Sequence, residues 1–366
     1  MSNRKQEKTY RKGKGEKMRK KKIAAWFVTA AMAGVLTACG GSSAGNDSQQ
    51  TGGSQSAASG TVTIKLCHTD PSGSAITEAI QKFASNVTEA SGGRLKIEEY
   101  ADGIMGDDDE IIEQIYNGAN MMNYIDPAML EPYYPNYSIL FSPYFFESYE
   151  EIGAFAETEF SKKMQQECKE AGIMALDGMS SYFGSRQIMS NKPISTPADL
   201  KGLNFRMPNQ ATQLELASAW GANPVTVSFS ETYSALQQGV VDCVENPIGS
   251  LYANSIQEVC DYVNITSHFY GVNGLVMSSK VFDSLDADLQ ELLLDEAKKF
   301  AQYSTEMTVA EEEELLKKME EEGTIVNRDV DVEAMKEAAQ KVFEVHGWPQ
   351  ELLDGASAAL EEIRSN

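Results

Sequence analysis

The side chains able to do chemistry are few and scattered. Histidine occurs three times in 366 residues, as His68, His268 and His346, and the cysteines Cys67, Cys168, Cys243 and Cys260 contain no CxxC pair. Structural zinc sites need four such ligands at close spacing, so no metal site is assembled. No GxSxG elbow stands between an expected strand and helix and no HExxH helix is present, which argues against an anchored hydrolase, and no phosphate-cradling glycine loop appears. Acidic runs at residues 311–314 and 320–322 lack a calcium-loop pattern and read as solvated helix surface. His68, Thr69 and Asp70 close the first expected strand, where α/β sheets carry ligand contacts, but no nucleophile is paired with His68. His268 lies in Thr266-Ser267-His268-Phe269-Tyr270 and reads as packed. The state of the four cysteines is open, since disulfides and buried free thiols satisfy the sequence equally.

With 42% hydrophobic and 23% charged residues the chain is globular and long enough for two domains. A net charge of -23 excludes nucleic acid as a partner, because phosphate neutralisation requires a basic face. Eleven of the basic residues crowd into residues 1–38; without that segment 20 basic side chains stand against 52 acidic ones, a net charge of -32. Arg19 to Lys22 form a charged cluster ahead of fourteen largely apolar residues, 23–36, which are too few to span a bilayer comfortably. Leu36-Thr37-Ala38-Cys39 follows. This arrangement resembles a bacterial lipoprotein signal, which implies that residues 1–38 are a signal peptide, that Cys39 is lipidated, and that the protein is held to the cell membrane on its outer side. Met18, directly before the charged cluster, is a possible true start. Residues 40–60 are Gly, Ser, Ala, Gln, Asn and Thr with one acid and read as a flexible tether with a reach of roughly 25 Å.

Period-two patterning predicts strands over residues 61–66 and 95–100, and helical spacing predicts a helix over 76–87 between them. A second helix is expected over 107–116, followed by a short apolar stretch at 121–125, and the order suggests an α/β layer with parallel strands. Four prolines in 127–143 favour an irregular crossing. Further expectations are a helix over 155–170, strands at 173–179 and 186–190, a helix over 209–220, strands at 224–227 and 240–242, and a helix over 230–238. From Leu285, residues Leu289, Leu293, Ala297, Phe300, Ser304 and Met307 keep helical spacing over five or more turns. No internal repeat is visible.

Several motifs from Gly184 onwards carry a more specific signal. Gly184-Ser185-Arg186-Gln187, Asn191-Lys192-Pro193-Ile194 and Pro197 to Pro208, including Arg206-Met207-Pro208, occur in order. Gly221-Ala222-Asn223-Pro224, Phe229 to Gln237, and Val241-Asp242 with Glu245-Asn246-Pro247 follow. This series resembles the solute-binding subunits of tripartite ATP-independent periplasmic (TRAP) transporters, and the similarity extends loosely over nearly all of the chain after the tether. Cys243, where glycine is usual, and Val244, where glutamine or a small residue is common, depart from the pattern.

The resemblance implies an α/β, two-lobed periplasmic-binding-protein-like fold with a hinge and a long bridging helix. Lobe I is expected over 61–183, with part of the C-terminal region returning to it, lobe II over 184–270, and the bridging and C-terminal helices over 271–366. It implies an organic acid held by Arg206, whose planar guanidinium matches a carboxylate with two parallel hydrogen bonds. Arg186 would assist, as in members that bind sugar acids; Phe229 would meet the ligand's apolar face and Asn246 would offer an amide. Thr69 and Asp126, with His68 beside them, would contribute from the first lobe, and Asp126 hints at a hydroxylated or amino-bearing acid. No catalysis and no cofactor are implied; the partner is a membrane permease driven by an ion gradient. Sugar acids such as uronates are the first expectation and C4-dicarboxylates the second. The alternatives are a lipoprotein serving an ATP-driven importer and an anchored enzyme acting on sugar acids.

Overall fold

The computed structural model describes residues 60–365. The expected signal, Cys39 and the tether up to residue 59 lie outside the described residues. The strands in chain order are β1 (Val62–Cys67), β2 (Leu95–Tyr100), β3 (Met121–Ile125), β4 (Ile173–Ala175), β5 (Ser181–Ser190), β6 (Asn204–Met207), β7 (Asn223–Thr226), β8 (Cys243–Pro247), β9 (Tyr262–Asn264), β10 (Tyr270–Ser278) and β11 (Ile325–Asn327).

The first helix, Ala75–Ala90, shows how local sequence sets the elements. Ser74 caps it by accepting from Thr77 N, its buried residues Ala79, Ile80, Phe83, Ala84 and Val87 recur at three- and four-residue intervals, and Ser91 closes it. β1 pairs in parallel with β2 and β3. β3 then meets the second half of β10 antiparallel, while the first half of β10 pairs with the first half of β5. The second half of β5 pairs with β8 and β9, and β6 lies parallel to β8 and β7. Two lobes result, each with its own strand set, and β5 and β10 run from one set into the other. The junctions expected after residues 183 and 270 fall inside β5 and at the start of β10.

At this crossing the strands come unusually close. Gly184 has φ +116°, and a Cβ there would stand 2.7 Å from Pro247 Cβ; at Gly271 it would stand 2.7 Å from the Gly184 carbonyl oxygen. Any side chain would push β5, β8 and β10 apart.

The helix Ala287–Glu322 runs for 36 residues along both lobes. Near its start Phe300 packs edge-on to Phe83 and Tyr124, and Tyr303 donates to the Ala79 carbonyl. Midway Thr305 Oγ1 accepts from Tyr182 N, and Glu312 accepts from Ser185 N at 2.6 Å and Tyr182 Oη at 2.7 Å. Towards its end Met319 is buried with Met189, Val244 and Val263. The C-terminal helix Gln350–Ser365 returns to the first lobe, where Arg364 pairs with Glu151.

Three sequence expectations are corrected. The single helix over 155–170 is two, Tyr149–Ala156 and Glu159–Ala171, because Thr158 accepts from Ser161 N and starts a new helix. The strand expected at 240–242 is a turn: Val240 is exposed, Asp242 caps Asn204 N, and β8 begins at Cys243. The irregular 127–143 stretch contains two 3-10 helices, Pro127–Leu130 and Pro135–Phe141, the second burying Tyr137, Leu140 and Phe141. The four cysteines Cys67, Cys168, Cys243 and Cys260 are buried free thiols.

Asp177 stands in the turn that feeds β5. It is 4% exposed, Oδ1 accepts from Met179 N, and Oδ2 has no partner among the described residues. Burial pushes its carboxyl up to about 7. A carboxyl raised in the folded state favours folding below its unfolded value near 4, and that contribution is lost as pH rises through about 7. Urea unfolding of Asp177→Asn should therefore show a flatter decline in stability between about pH 4 and pH 7 than wild type, by on the order of several kcal/mol. Parallel curves would remove Asp177 as the cause.

Candidate functional site

Arg206 is the penultimate residue of the short strand β6, in register with Val225 of β7 and Val244 of β8. Its side chain is drawn inward: the residue is 4% exposed, Nε donates 2.9 Å to the Val227 carbonyl, and Cζ lies 5.3 Å from the centre of the Phe229 ring. Among the described residues no carboxylate lies within ion-pair distance of it. Burial lowers its pKa to about 10, with Glu245 opposing and Arg186 adding to the shift, so the group stays charged at neutral pH. A buried guanidinium with its terminal nitrogens free of any carboxylate is an anion site in wait.

Arg186 is in the second half of β5 and is equally buried, but its charge is answered. Nη2 donates 2.7 Å to Glu245 Oε1 and Nε reaches Oε2, a two-pronged pair made possible because β5 and β8 are neighbours. His268 Nε2 lies 3.2 Å from the same Glu245 oxygen, and its Nδ1 lies 2.8 Å from Thr266 Oγ1. A carboxylate only accepts, so the neutral ring donates from Nε2 and accepts a hydrogen bond from the threonine hydroxyl at Nδ1. Burial keeps His268 below its ordinary value and the ring neutral. Burial alone would raise Glu245, but Arg186 and His268 outweigh it and hold the carboxyl far below the usual range. Phe141 lies under Arg186, 5.5 Å from its Cζ, and stacks on Phe269.

Asn246, 8% exposed, pairs with Gln187 across β5 and β8. From the first lobe, Asp126 follows β3. Its Oδ1 accepts from Ala128 N and Met129 N, and its Oδ2 accepts from Gln210 Nε2 at 2.9 Å, which ties the end of β3 to the loop after β6. Burial raises Asp126. Thr69 donates to Asp108 Oδ2 at 3.0 Å, while Asn123 donates to Asp108 Oδ1 at 3.1 Å. Burial pushes Asp108 up to about 7. His68 is turned into the first lobe instead, 3.1 Å from Glu99 and 3.5 Å from Asp70; burial alone would lower it, and the two acids outweigh burial and raise it.

The structure thus gathers Arg206, Arg186 and Phe229 in the second lobe, joins Asp126 to that lobe through Gln210, and groups Thr69 with Asp108. Sequence reasoning missed Glu245, Gln210 and Asp108. Glu245 lies within one of the sequence motifs, but only the fold, which sets β5 beside β8, shows that it is buried against Arg186. The departures Cys243 and Val244 are both fully buried in β8. A separate cavity of about 360 Å³ is lined by Asp70, Ser74, Phe183, Pro247, Glu311 and Glu312 among others and by no basic residue, so it is unsuited to an anion. Among the described residues no cluster of His, Cys, Asp and Glu is disposed to hold a metal ion, and no helix is long and apolar enough to cross a membrane.

Residues 66–346 match the family described as bacterial extracellular solute-binding protein, family 7. The chain belongs to this family. Among curated relatives it is 27% identical over 282 residues to the sialic acid-binding periplasmic protein SiaP of Vibrio cholerae, covering 77% of this chain and 87% of that one. It is 29% identical over 253 residues to the C4-dicarboxylate-binding periplasmic protein DctP of the same organism, covering 68% and 73%. Among solved structures, a TRAP periplasmic solute-binding protein from Ochrobacterium anthropi with bound L-fuconate matches with a TM-score of 0.77 at 31% identity, over 82% of this chain and 99% of that one. Another from Desulfovibrio salexigens, in complex with diglycerolphosphate, gives 0.80 at 27%, over 83% and 98%. These family 7 proteins share the two-lobed fold seen here.

Within this family 7 chain, Glu245 is required to keep Arg186 in place. Glu245→Gln leaves a buried guanidinium without its counter-charge and should destabilise the protein by about 3–5 kcal/mol in urea unfolding. A loss below about 1 kcal/mol would contradict the assignment of the pair as a buried, mutually dependent one.

Proposed function

We propose that the protein captures an organic acid between its lobes, with one carboxylate on Arg206, and delivers it without chemical change to the membrane subunits of a TRAP permease. The observation that carries this reading is the buried Arg206 guanidinium, which lacks a carboxylate partner among the described residues while Arg186 has one. With Arg186 neutralised by Glu245, the pocket presents one uncompensated positive charge. In this reading the first lobe contributes Thr69, Asp108 and Asp126, which suit hydroxyl donors and disfavour a second carboxylate. The balance therefore favours a monocarboxylic polyhydroxy acid, a sugar acid, over a C4-dicarboxylate. Supporting this, solved relatives hold L-fuconate and, in a Sulfitobacter protein, β-D-galacturonate.

The ligand sites in this reading are Arg206, Phe229 and Asn246 of lobe II, with Arg186 braced beside them, and Thr69 and Asp126 of lobe I; His68 supports the first-lobe loop from beneath. The lobes are taken as 61–183 and 184–270, closing about β5 and β10, with 271–366 bridging and returning. Cleavage before Cys39 and lipid on its thiol would hold the body at the outer face of the cytoplasmic membrane or in the periplasm. Cys39→Ser should move the protein from the membrane to the soluble fraction on cell fractionation; unchanged membrane association would remove the lipid anchor.

A thermal-shift screen of the mature chain against uronates, aldonates, sialic acid and C4-dicarboxylates tests the ligand. A matching acid at a hundred times its dissociation constant should stabilise by about 2.7 kcal/mol, a rise of several degrees, and Arg206→Ala should abolish the shift. Sugar acids should shift more than succinate or malate. A shift that survives Arg206→Ala would place the acid elsewhere.

A further inference from the structure

The helix Ala211–Ala219 begins just after Arg206, and its entry carries a run of buried polar side-chain atoms without hydrogen-bond partners among the described residues. Gln210, 7% exposed, donates from Nε2 to Asp126 Oδ2. Since a carboxylate only accepts, this contact fixes the orientation of the amide and turns Oε1 away from Asp126. Gln210 Oε1 is buried and has no hydrogen-bond partner among the described residues, and the same holds for Thr212 Oγ1 and for both amide atoms of Gln213. Four of the nine such atoms in the described protein fall within residues 210–213, so the shortage is local and not a scatter of single atoms. Buried polar atoms in folded proteins are nearly always paired, which makes this turn the place where a bound molecule is expected to supply partners.

We propose that Gln210 is a specificity residue whose Oε1 accepts a hydrogen bond from a hydroxyl of the bound acid, so that the protein selects hydroxylated carboxylates over matched acids lacking that hydroxyl. The proposal rests on the reading that an acid sits on Arg206. Gln210 is well placed for the task because it is held at several points. Its backbone N donates to the Pro208 carbonyl at 2.9 Å, its own carbonyl accepts from Leu214 N at 3.1 Å, and Asp126 pins the side-chain amide. Oε1 cannot swing to solvent without breaking the link to Asp126. An amide oxygen accepts and a ligand carboxylate also only accepts, so a second acid group cannot fill the position. An O–H donor can. Arg206 and Gln210, four positions apart, would read opposite polarities of one molecule: donors for its carboxylate and an acceptor for its hydroxyl.

Titration calorimetry with the mature chain tests this, using D-galactonate, D-galacturonate and the single-deoxy analogues of each. In wild type, at least one deoxy analogue should bind on the order of ten- to hundredfold more weakly than its parent. In Gln210→Met, of similar length but without the amide, that gap should close to within about threefold, because only binding of the parent falls. A Gln210→Met protein that weakens parent and analogue by the same factor would show a link between lobes only and overturn the proposal. Equal affinities for all analogues in wild type would also overturn it. A wild type that binds none of the acids would remove the underlying reading as well, a result distinct from equal binding. Should Gln210→Met not fold, the structure of wild type with its tightest acid decides: a ligand hydroxyl about 2.8 Å from Oε1 supports the proposal, and water there overturns it.

Discussion

The second lobe depends on one buried ion pair, Arg186 with Glu245. Two arginines are buried within mutual electrostatic range, and two uncompensated guanidiniums in a low-dielectric interior would be prohibitive. Glu245 removes one of those charges, His268 donates to it from Nε2, and Thr266 fixes the His268 ring from the other side. What remains is a single net cation at Arg206, held by the Val227 carbonyl and by the face of Phe229. On the proposed reading, the charge that a ligand would meet is therefore set by a pair that it need not touch.

The pair also links the site to the fold. Arg186 lies on β5 and Glu245 on β8, while β5 is one of two strands shared between the lobes. Its neighbour Ser185 donates its backbone N–H to Glu312 on the long helix. One strand thus joins the helix that spans both lobes to the carboxylate that balances the pocket. Gly184 and Gly271 stand where these strands crowd, and their lack of side chains keeps the crossing narrow. A change in the angle between the lobes has to be absorbed around this crossing, next to the residues that hold the charge.

Much of this was legible in the sequence, for physical reasons. The 36-residue helix announced itself because Leu289, Leu293, Ala297 and Phe300 must all face the core, and β1 and β2 because their alternation matches a half-buried sheet. Arg206 was singled out through the residues flanking it, and its burial without a carboxylate partner among the described residues became visible only in the fold. Glu245 was not singled out, because a buried carboxylate looks like any other of 54 acids until the pairing of β5 with β8 sets it opposite Ile188, diagonal to Arg186 and within reach of its guanidinium. Gln210 escaped for a similar reason: its partner Asp126 is 84 residues away, and contact across the lobes leaves no periodic trace. The break at Thr158 was hidden because the hydrophobic spacing on either side of it continues almost in phase.

The acidity of the chain sharpens what the pocket must do. Beyond the expected cleavage site the protein carries a net charge of -32, so an approaching anion meets repulsion at long range. At physiological ionic strength that field is screened within about 8 Å, whereas contacts inside a desolvated pocket are screened far less. Capture of an acid by such a protein has to rest on short-range, geometrically exact contacts rather than on electrostatic steering. A buried and otherwise unanswered guanidinium meets that demand, because its terminal N–H donors are felt fully only by a carboxylate that has already shed its water. On the proposed reading, acidic side chains of the first lobe need not abolish such a site: close to Arg206 its charge prevails, and the acceptors Asp108 and Asp126 would favour ligand hydroxyls over a second negative charge.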